Sequence, residues 1–243
     1  MNRSALAAAA AVLTAAAGTL ASASSPPSAT AALNVAPLRV EFARAQQTSQ
    51  LLVRNDAARR LAVQIRLFAW SQDAGGEHYQ PSSDFIISPS IVRIDPGLTQ
   101  TIHIIAKAQP LAGREIAYRV VIDQLPESVE PVQGAAQTRL RLTLPLFAGT
   151  REAPPGAVQF GISGKALVIS NTGGRSVQIA GVNLHQNAQI AALPRDTGPH
   201  YVLAGATLQF ALPAGIVCGP GAVRVSGEID LKPFDAAAQQ SCP

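Results

Sequence analysis

From residue 33 onward, short runs of β-branched and apolar residues alternate with clusters of Gly, Pro, Asn and Asp, and no window of about 11 residues or more sustains a helical period. The runs fall at residues 38–42, 48–54, 61–70, 85–88, 91–94, 99–106, 116–125 and 137–147. The breaks between them carry turn chemistry: Asn55-Asp56, then Asp73-Ala74-Gly75-Gly76 as a hairpin loop, then Asp95-Pro96-Gly97. Gly149 to Gly156 interrupts the pattern with Gly, Pro and charge, after which strand-like runs resume at 166–171, 176–184, 201–202, 207–212 and 222–229. That interruption predicts a domain boundary. The fold expected is all-β, with a first sandwich over 33–149, a linker over 150–156 and a smaller sandwich over 157–243. No internal repeat is obvious in the sequence.

The first 32 residues differ from the rest. A short basic start, Met1-Asn2-Arg3, precedes a charge-free, Ala-rich stretch over 5–20. This is a secretory signal pattern, and the stretch is too short and too Ala-rich for a permanent membrane anchor. Cleavage is expected after Ala23, or after Ala31 or Ala32. About 210 residues then remain, enough for two domains that each bury a core. Cys218 and Cys242 are the only cysteines. In an exported chain they are expected to form a disulfide.

Charge and motifs exclude several functions. The net charge of +4 is mild, and the 19 cations are spread along the chain instead of forming a stripe, so no nucleic-acid partner is expected. The four His, at 78, 103, 185 and 200, show no ligand spacing, and the chain lacks a Gly-x-Ser-x-Gly motif and a phosphate-binding Gly loop. Asp73, Glu77 and Asp84 crowd one region but read as solvated acids. Neither enzyme activity nor a cofactor or metal is expected. Trp70 and Phe68 can share a strand face and read as core. Asn55 reads as a turn-stabilising hydrogen-bonding residue.

One segment stands out by its alternation. In Arg139-Leu140-Arg141-Leu142-Thr143-Leu144-Pro145-Leu146, the period of two puts the four Leu on one face. An edge strand so patterned can offer main-chain hydrogen bonds and an apolar row together, or the row can face its own domain's core.

Several local signatures together resemble the PapD-like periplasmic pilus chaperones, particularly the archaic, non-classical branch. These are Arg39-Val40-Glu41-Phe42 followed by Asn55-Asp56, the Trp-bearing run from Val63 to Asp73, Ile87-Ser88-Pro89, Ile94-Asp95-Pro96-Gly97, the run from Tyr118 to Pro126, and Leu144-Pro145-Leu146-Phe147. They cover about residues 33–150; the rest of the chain is matched by position, size and its late cysteine pair. The resemblance implies two immunoglobulin-like sandwiches in a boomerang or L, working in the periplasm. The partners it implies are pilus subunits and an outer-membrane usher, and no nucleotide is required. Leu140, Leu142 and Leu144 would form the strand lent to a subunit, with Ala136 and Thr138 upstream on the same face. Arg39 would anchor the subunit's C-terminal carboxylate. Where the family places a second cation, on the donated strand, this chain has Pro145, and Arg119 is the leading substitute, ahead of Arg59, Arg60 and Arg141. Two other classes compete: a pilus subunit or adhesin, expected to be a single domain, and a secreted sandwich enzyme or binding module, expected to show clustered exposed aromatics, against which the chain has only 5% Phe, Trp and Tyr.

Overall fold

A computed structural model describes residues 33–43, 45–109, 113–126, 139–194 and 201–242. The signal-peptide reading for residues 1–32, and Ala136 and Thr138, lie outside the described residues. The strands run β1 (Leu33–Ala36), β2 (Val40–Phe42), β3 (Thr48–Asn55), β4 (Leu61–Asp73), β5 (Gly76–Pro81), β6 (Phe85–Ser88), β7 (Ile91–Ile94), β8 (Thr99–Ala106), β9 (Ile116–Gln124) and β10 (Arg141–Ala148). They continue with β11 (Val158–Ser163), β12 (Ala166–Asn171), β13 (Val177–Gln186), β14 (Gln189–Ala192), β15 (Tyr201–Val202), β16 (Thr207–Ala211), β17 (Val223–Ile229) and β18 (Lys232–Ser241). There is no helix among the described residues. The fold is all-β, as the alternation predicts.

Two sheets, β1-β3-β8-β6 and β2-β10-β9-β4-β5 with β7 on β4, face each other across one hydrophobic cluster that includes Phe42, Leu51, Val63, Ile102, Ile122 and Leu146. An eight-stranded sheet, β14-β13-β17-β18-β11-β12-β16 with β15 on β13, carries the second cluster, which includes Ile162, Leu167, Ile169, Leu184 and Val225. β4 serves both. Leu61, Val63, Ile65 and Leu67 are buried in the first cluster at period two, then the alternation breaks at Ala69 and Trp70 is buried in the second. Phe68 is half-buried on the face away from the first cluster. β10 does the same with adjacent residues: Leu144, Leu146 and Ala148 pack in the first cluster, and Phe147 in the second.

Five strands escape the hydrophobic reading. β5 is almost wholly exposed, β1 and β14 are four residues long, β11 carries only Phe160 and Ile162 as buried residues, and β18 alternates half-buried Phe234, Ala236 and Ala238 with exposed residues. Each is pinned by pairing with a neighbour, β5 through the two-residue Ala74-Gly75 turn, so its place does not depend on a long apolar run of its own.

The two halves share a device that their sequences barely advertise. At the end of β3 the Asn55 Oδ1 accepts from Ala57 N–H at 2.9 Å, and its Nδ2 donates to the carbonyls of Arg59 at 2.8 Å and Ile94 at 2.9 Å. At the end of β12 the Asn171 Oδ1 accepts from the N–H groups of Gly173 and Ala157, each at 3.0 Å, and its Nδ2 donates to the carbonyls of Arg175 at 2.7 Å and Val202 at 3.0 Å. Both side chains are buried, so truncation would orphan three backbone groups at Asn55 and four at Asn171. Asn55→Ala and Asn171→Ala are each expected to lower stability by about 2–4 kcal/mol, read as a fall in the thermal unfolding midpoint.

Cys218 and Cys242 are disulfide-bonded across a sequence separation of 24. The bond ties the loop after β16 to the end of β18. A closed loop of this length contributes about 3 kcal/mol by the chain-entropy argument. Cys218→Ser/Cys242→Ser is therefore expected to unfold at lower temperature than the parent, and reductant is expected to shift only the parent.

Candidate functional site

Where the two clusters meet, three rings and two cations come together. Trp70 on β4, Phe147 on β10 and Tyr201 on β15 have ring centroids 5.5–6.1 Å apart. The Arg39 guanidinium lies 4.4 Å from the Phe147 centroid and 5.8 Å from that of Tyr201. Arg119 stacks 3.5 Å over Trp70 and lies 6.0 Å from Tyr201. The two sequence-predicted cations thus approach one ring.

Local structure explains the convergence. Arg39 immediately precedes β2, which pairs in parallel with the end of β10, Glu41 opposite Phe147. Arg119 sits on β9 directly across from Pro145 on one side and Phe68 on the other. Pro145 is the position where the resembled family has its second cation, so Arg119 rises beside the vacated place. Tyr201 is fixed from the first sandwich: Gln72 Nε2 donates to the Tyr201 carbonyl at 3.0 Å, and Leu203 N–H donates to Gln72 Oε1 at 2.9 Å. Glu115 Oε1 accepts from Ser176 N–H at 2.9 Å, and Arg114 Nη2 donates to the Ala204 carbonyl at 2.6 Å. Tyr201 had no role in the sequence reading. Its only signal is an aromatic in a two-residue strand.

The two cations are not equivalent. Arg39 donates to Glu41 at 2.6 Å and is 32% exposed; burial opposes its charge, but Tyr201 and Glu41 more than compensate and its pKa is raised. Arg119 is 12% exposed, its nearest carboxylate, Glu77, is 3.9 Å away, and its Nε is buried without a hydrogen-bond partner. Burial dominates there and lowers its pKa despite Glu77 and Tyr201. A desolvated, under-paired guanidinium that shares an aromatic neighbour, Tyr201, with a second cation is a place for a carboxylate. Of the other candidates, Arg60 pairs with Asp95 and Arg141 with Asp123.

β10 leads away from this cluster with one edge open. Its partner on that side, β2, covers only residues Leu146 to Ala148, and among the described residues no strand pairs Arg141 to Pro145 there. Gln124 N–H donates to the Leu140 carbonyl at 2.9 Å and Gly149 N–H to the Phe42 carbonyl at 2.8 Å. In an antiparallel ladder main-chain groups alternate sides. Leu140, Leu142 and Leu144 therefore bond toward β9, and the N–H groups of Arg141 and Thr143 point out of the open edge. Pro145, which has no N–H, ends that run of donors, the position proline tolerates in a sheet. The Leu row divides. Leu144 is 7% exposed and Leu146 fully buried in the first cluster, whereas Leu140 and Leu142 are half-buried at its rim. The C-terminal half of the row is the sandwich's own core.

The acids around residues 73–84 disperse: Asp73 bonds His78, Glu77 lies by Arg119, and Asp84 accepts from the Tyr118 hydroxyl at 2.8 Å. Among the described residues no three His, Cys, Asp or Glu are grouped to hold a metal ion.

Residues 32–149 match the model of the pili and flagellar-assembly chaperone family, PapD N-terminal domain. The chain carries the N-terminal domain of the PapD-like pilus-assembly chaperones. Both the Arg–aromatic cluster, except for Tyr201, and the open edge of β10 lie inside that PapD-type domain. No curated protein sequence matches the chain. Among solved structures, one similar fold is a chain of the CsuC–CsuE chaperone–tip adhesion subunit pre-assembly complex, from the archaic chaperone-usher Csu pili of Acinetobacter baumannii. It is 19% identical, covers 86% of this chain and 99% of that one, and has a TM-score of 0.66. The E. coli chaperone DraB is 17% identical over 85% of this chain and 98% of its own, with a TM-score of 0.60. A chain of the Salmonella enterica SafA pilin–SafB chaperone complex is 17% identical over 84% of this chain and 95% of its own, with a TM-score of 0.61. The fold similarity extends well beyond the PapD-type domain, and such chaperones have two immunoglobulin-like sandwiches.

Proposed function

We propose that this PapD-like protein is a periplasmic, non-enzymatic chaperone that holds pilus subunits by lending them the open edge of β10 and passes them to an outer-membrane usher. The observation that carries the reading is the juxtaposition, within a PapD-type domain, of a strand edge that no described strand pairs, over Arg141 to Pro145, with Arg39 and Arg119, which both approach Tyr201 near its end. A subunit short of one strand exposes an apolar groove and a row of unpaired main-chain groups, both prone to aggregation. Arg141 and Thr143 supply main-chain donors to that row, while Leu140 and Leu142 present apolar surface. Arg39 and Arg119 take the terminal carboxylate and so set the register. In this reading residues 33–149 bind the subunit, 150–156 link, and 157–243 form the second wall of the cleft through Tyr201.

Co-expression with a candidate pilus subunit, a secreted sandwich domain short of one strand, tests the proposal. The subunit is expected to accumulate and co-purify only when the chain is present. Equal subunit recovery with and without it contradicts the reading.

A further inference from the structure

The outward face of the β4–β9–β10 sheet carries a feature that the Leu row does not use and that the carboxylate anchor touches only through Arg119. Arg66, Phe68, Arg119, Val121, Arg141 and Thr143 line an open depression of about 270 Å³. Thr143, Val121 and Arg66 stand side by side across the three strands, and Pro145, Arg119 and Phe68 form the next row. Phe68 and Val121 make an uncharged floor, with the Arg66 guanidinium 5.3 Å from the Phe68 centroid.

The charges there do not balance. Asp123 is the shared acceptor of Arg66 at 2.6 Å and Arg141 at 2.5 Å. One carboxylate thus serves two guanidiniums, which remain 41% and 65% exposed with N–H groups to spare. Arg119 adds a third cation whose nearest acid is Glu77 at 3.9 Å. Because side chains alternate along a strand, a strand added at the open edge of β10 would send half of its side chains to the Leu140–Leu142 side and half over this depression.

We propose that the depression is a subsite for an acidic side chain, Asp or Glu, on the subunit strand that pairs with β10. The inference rests on the strand-lending reading and adds to it a sequence preference: apolar and acidic residues alternating in the bound strand. Adjacent strands lie about 4.8 Å apart, so a carboxylate on the added strand meets Arg141 directly and displaces or shares its contact with Asp123.

The test uses the full chain and two synthetic peptides with free C-termini, Val-Glu-Val-Glu-Val-Glu-Val and its Gln counterpart. The Glu peptide is expected to bind about tenfold more tightly at low salt, with the advantage shrinking as salt rises. Arg66→Gln/Arg141→Gln should erase the advantage. Asp123→Asn, which frees both guanidiniums, should enlarge it. Equal binding of the two peptides, or an advantage that survives loss of both arginines, overturns the subsite. Leu142→Asp separates the two readings: if it abolishes binding of both peptides while they bind the parent equally, only the subsite fails. If both peptides bind unimpaired by Leu142→Asp, strand lending fails and the subsite fails with it. Binding of neither peptide to the parent counts against both.

Discussion

Replacing Arg39 by Ala is expected to weaken subunit binding by about 30-fold to several thousand-fold, because truncating one partner of a desolvated charge pair costs about 2–5 kcal/mol. The surroundings of Arg39 make that loss specific to a carboxylate. Its guanidinium rests on Phe147 and near Tyr201, and its one acid is the exposed Glu41. Arg119→Ala is expected to cost a similar amount, since Arg119 is the more deeply buried cation and leaves its Nε unpartnered. The double variant should lose less than the sum if both hold one carboxylate, because residues sharing a partner couple. Arg224→Ala, an exposed cation paired with Asp235, should change affinity by less than about 1 kcal/mol. The measurement is binding of the purified subunit with and without its terminal residue. If Arg39→Ala weakens both forms equally, the anchor assignment is wrong.

The second large effect divides the Leu row. Leu142→Asp is expected to abolish subunit capture while costing about 1–3 kcal/mol of stability, since Leu142 is half-buried at the rim of the first cluster. Leu144→Asp places an unpaired carboxylate among Leu146, Val120 and Ile122, and is expected to cost more than about 4 kcal/mol. Against a total stability of about 5–15 kcal/mol, that change leaves a protein partly unfolded at ordinary temperature. Circular dichroism melts together with subunit co-purification distinguish the two. A Leu142→Asp variant that unfolds as readily as Leu144→Asp would place the whole row in the domain's own core.

Much of this was legible from alternation. Apolar and β-branched runs bounded by turn residues located β3, β4, β8, β9 and β10, and turn residues placed the β4–β5 hairpin; β3, β4 and β8 pack mainly one face on a core, while β9 and the end of β10 are buried on both faces. The spacing of Arg39 to Phe42 and Asn55 drew attention to an arginine that the structure sets beside Phe147. The change of face within β4 was not legible: Ala69 and Trp70 carry no mark that the covered side has switched, since the cover comes from Tyr201, 131 residues on from Trp70. The shared Asn55 and Asn171 device escaped for a similar reason, as two buried asparagines flanked by different residues make no repeat. Nor does the row Leu140-Leu142-Leu144-Leu146 disclose where the rim ends and the core begins. Pro145 reads in the sequence as a missing cation. In the ladder it is also a missing donor on the open edge, which only the hydrogen-bond parity of β10 reveals.

Residue-resolved amide hydrogen exchange tests strand lending most directly. In the free chain the N–H groups of Arg141 and Thr143 point out of the open edge and should exchange fast, while those of Leu142 and Leu144, bonded to β9, should exchange slowly. In the complex with the subunit the Arg141 and Thr143 amides should become protected by at least about 100-fold, as expected of N–H groups taken into a stable ladder. If those two amides stay fast while the complex forms, or if protection appears instead along β1 or β6, the β10 edge is not what the chain lends.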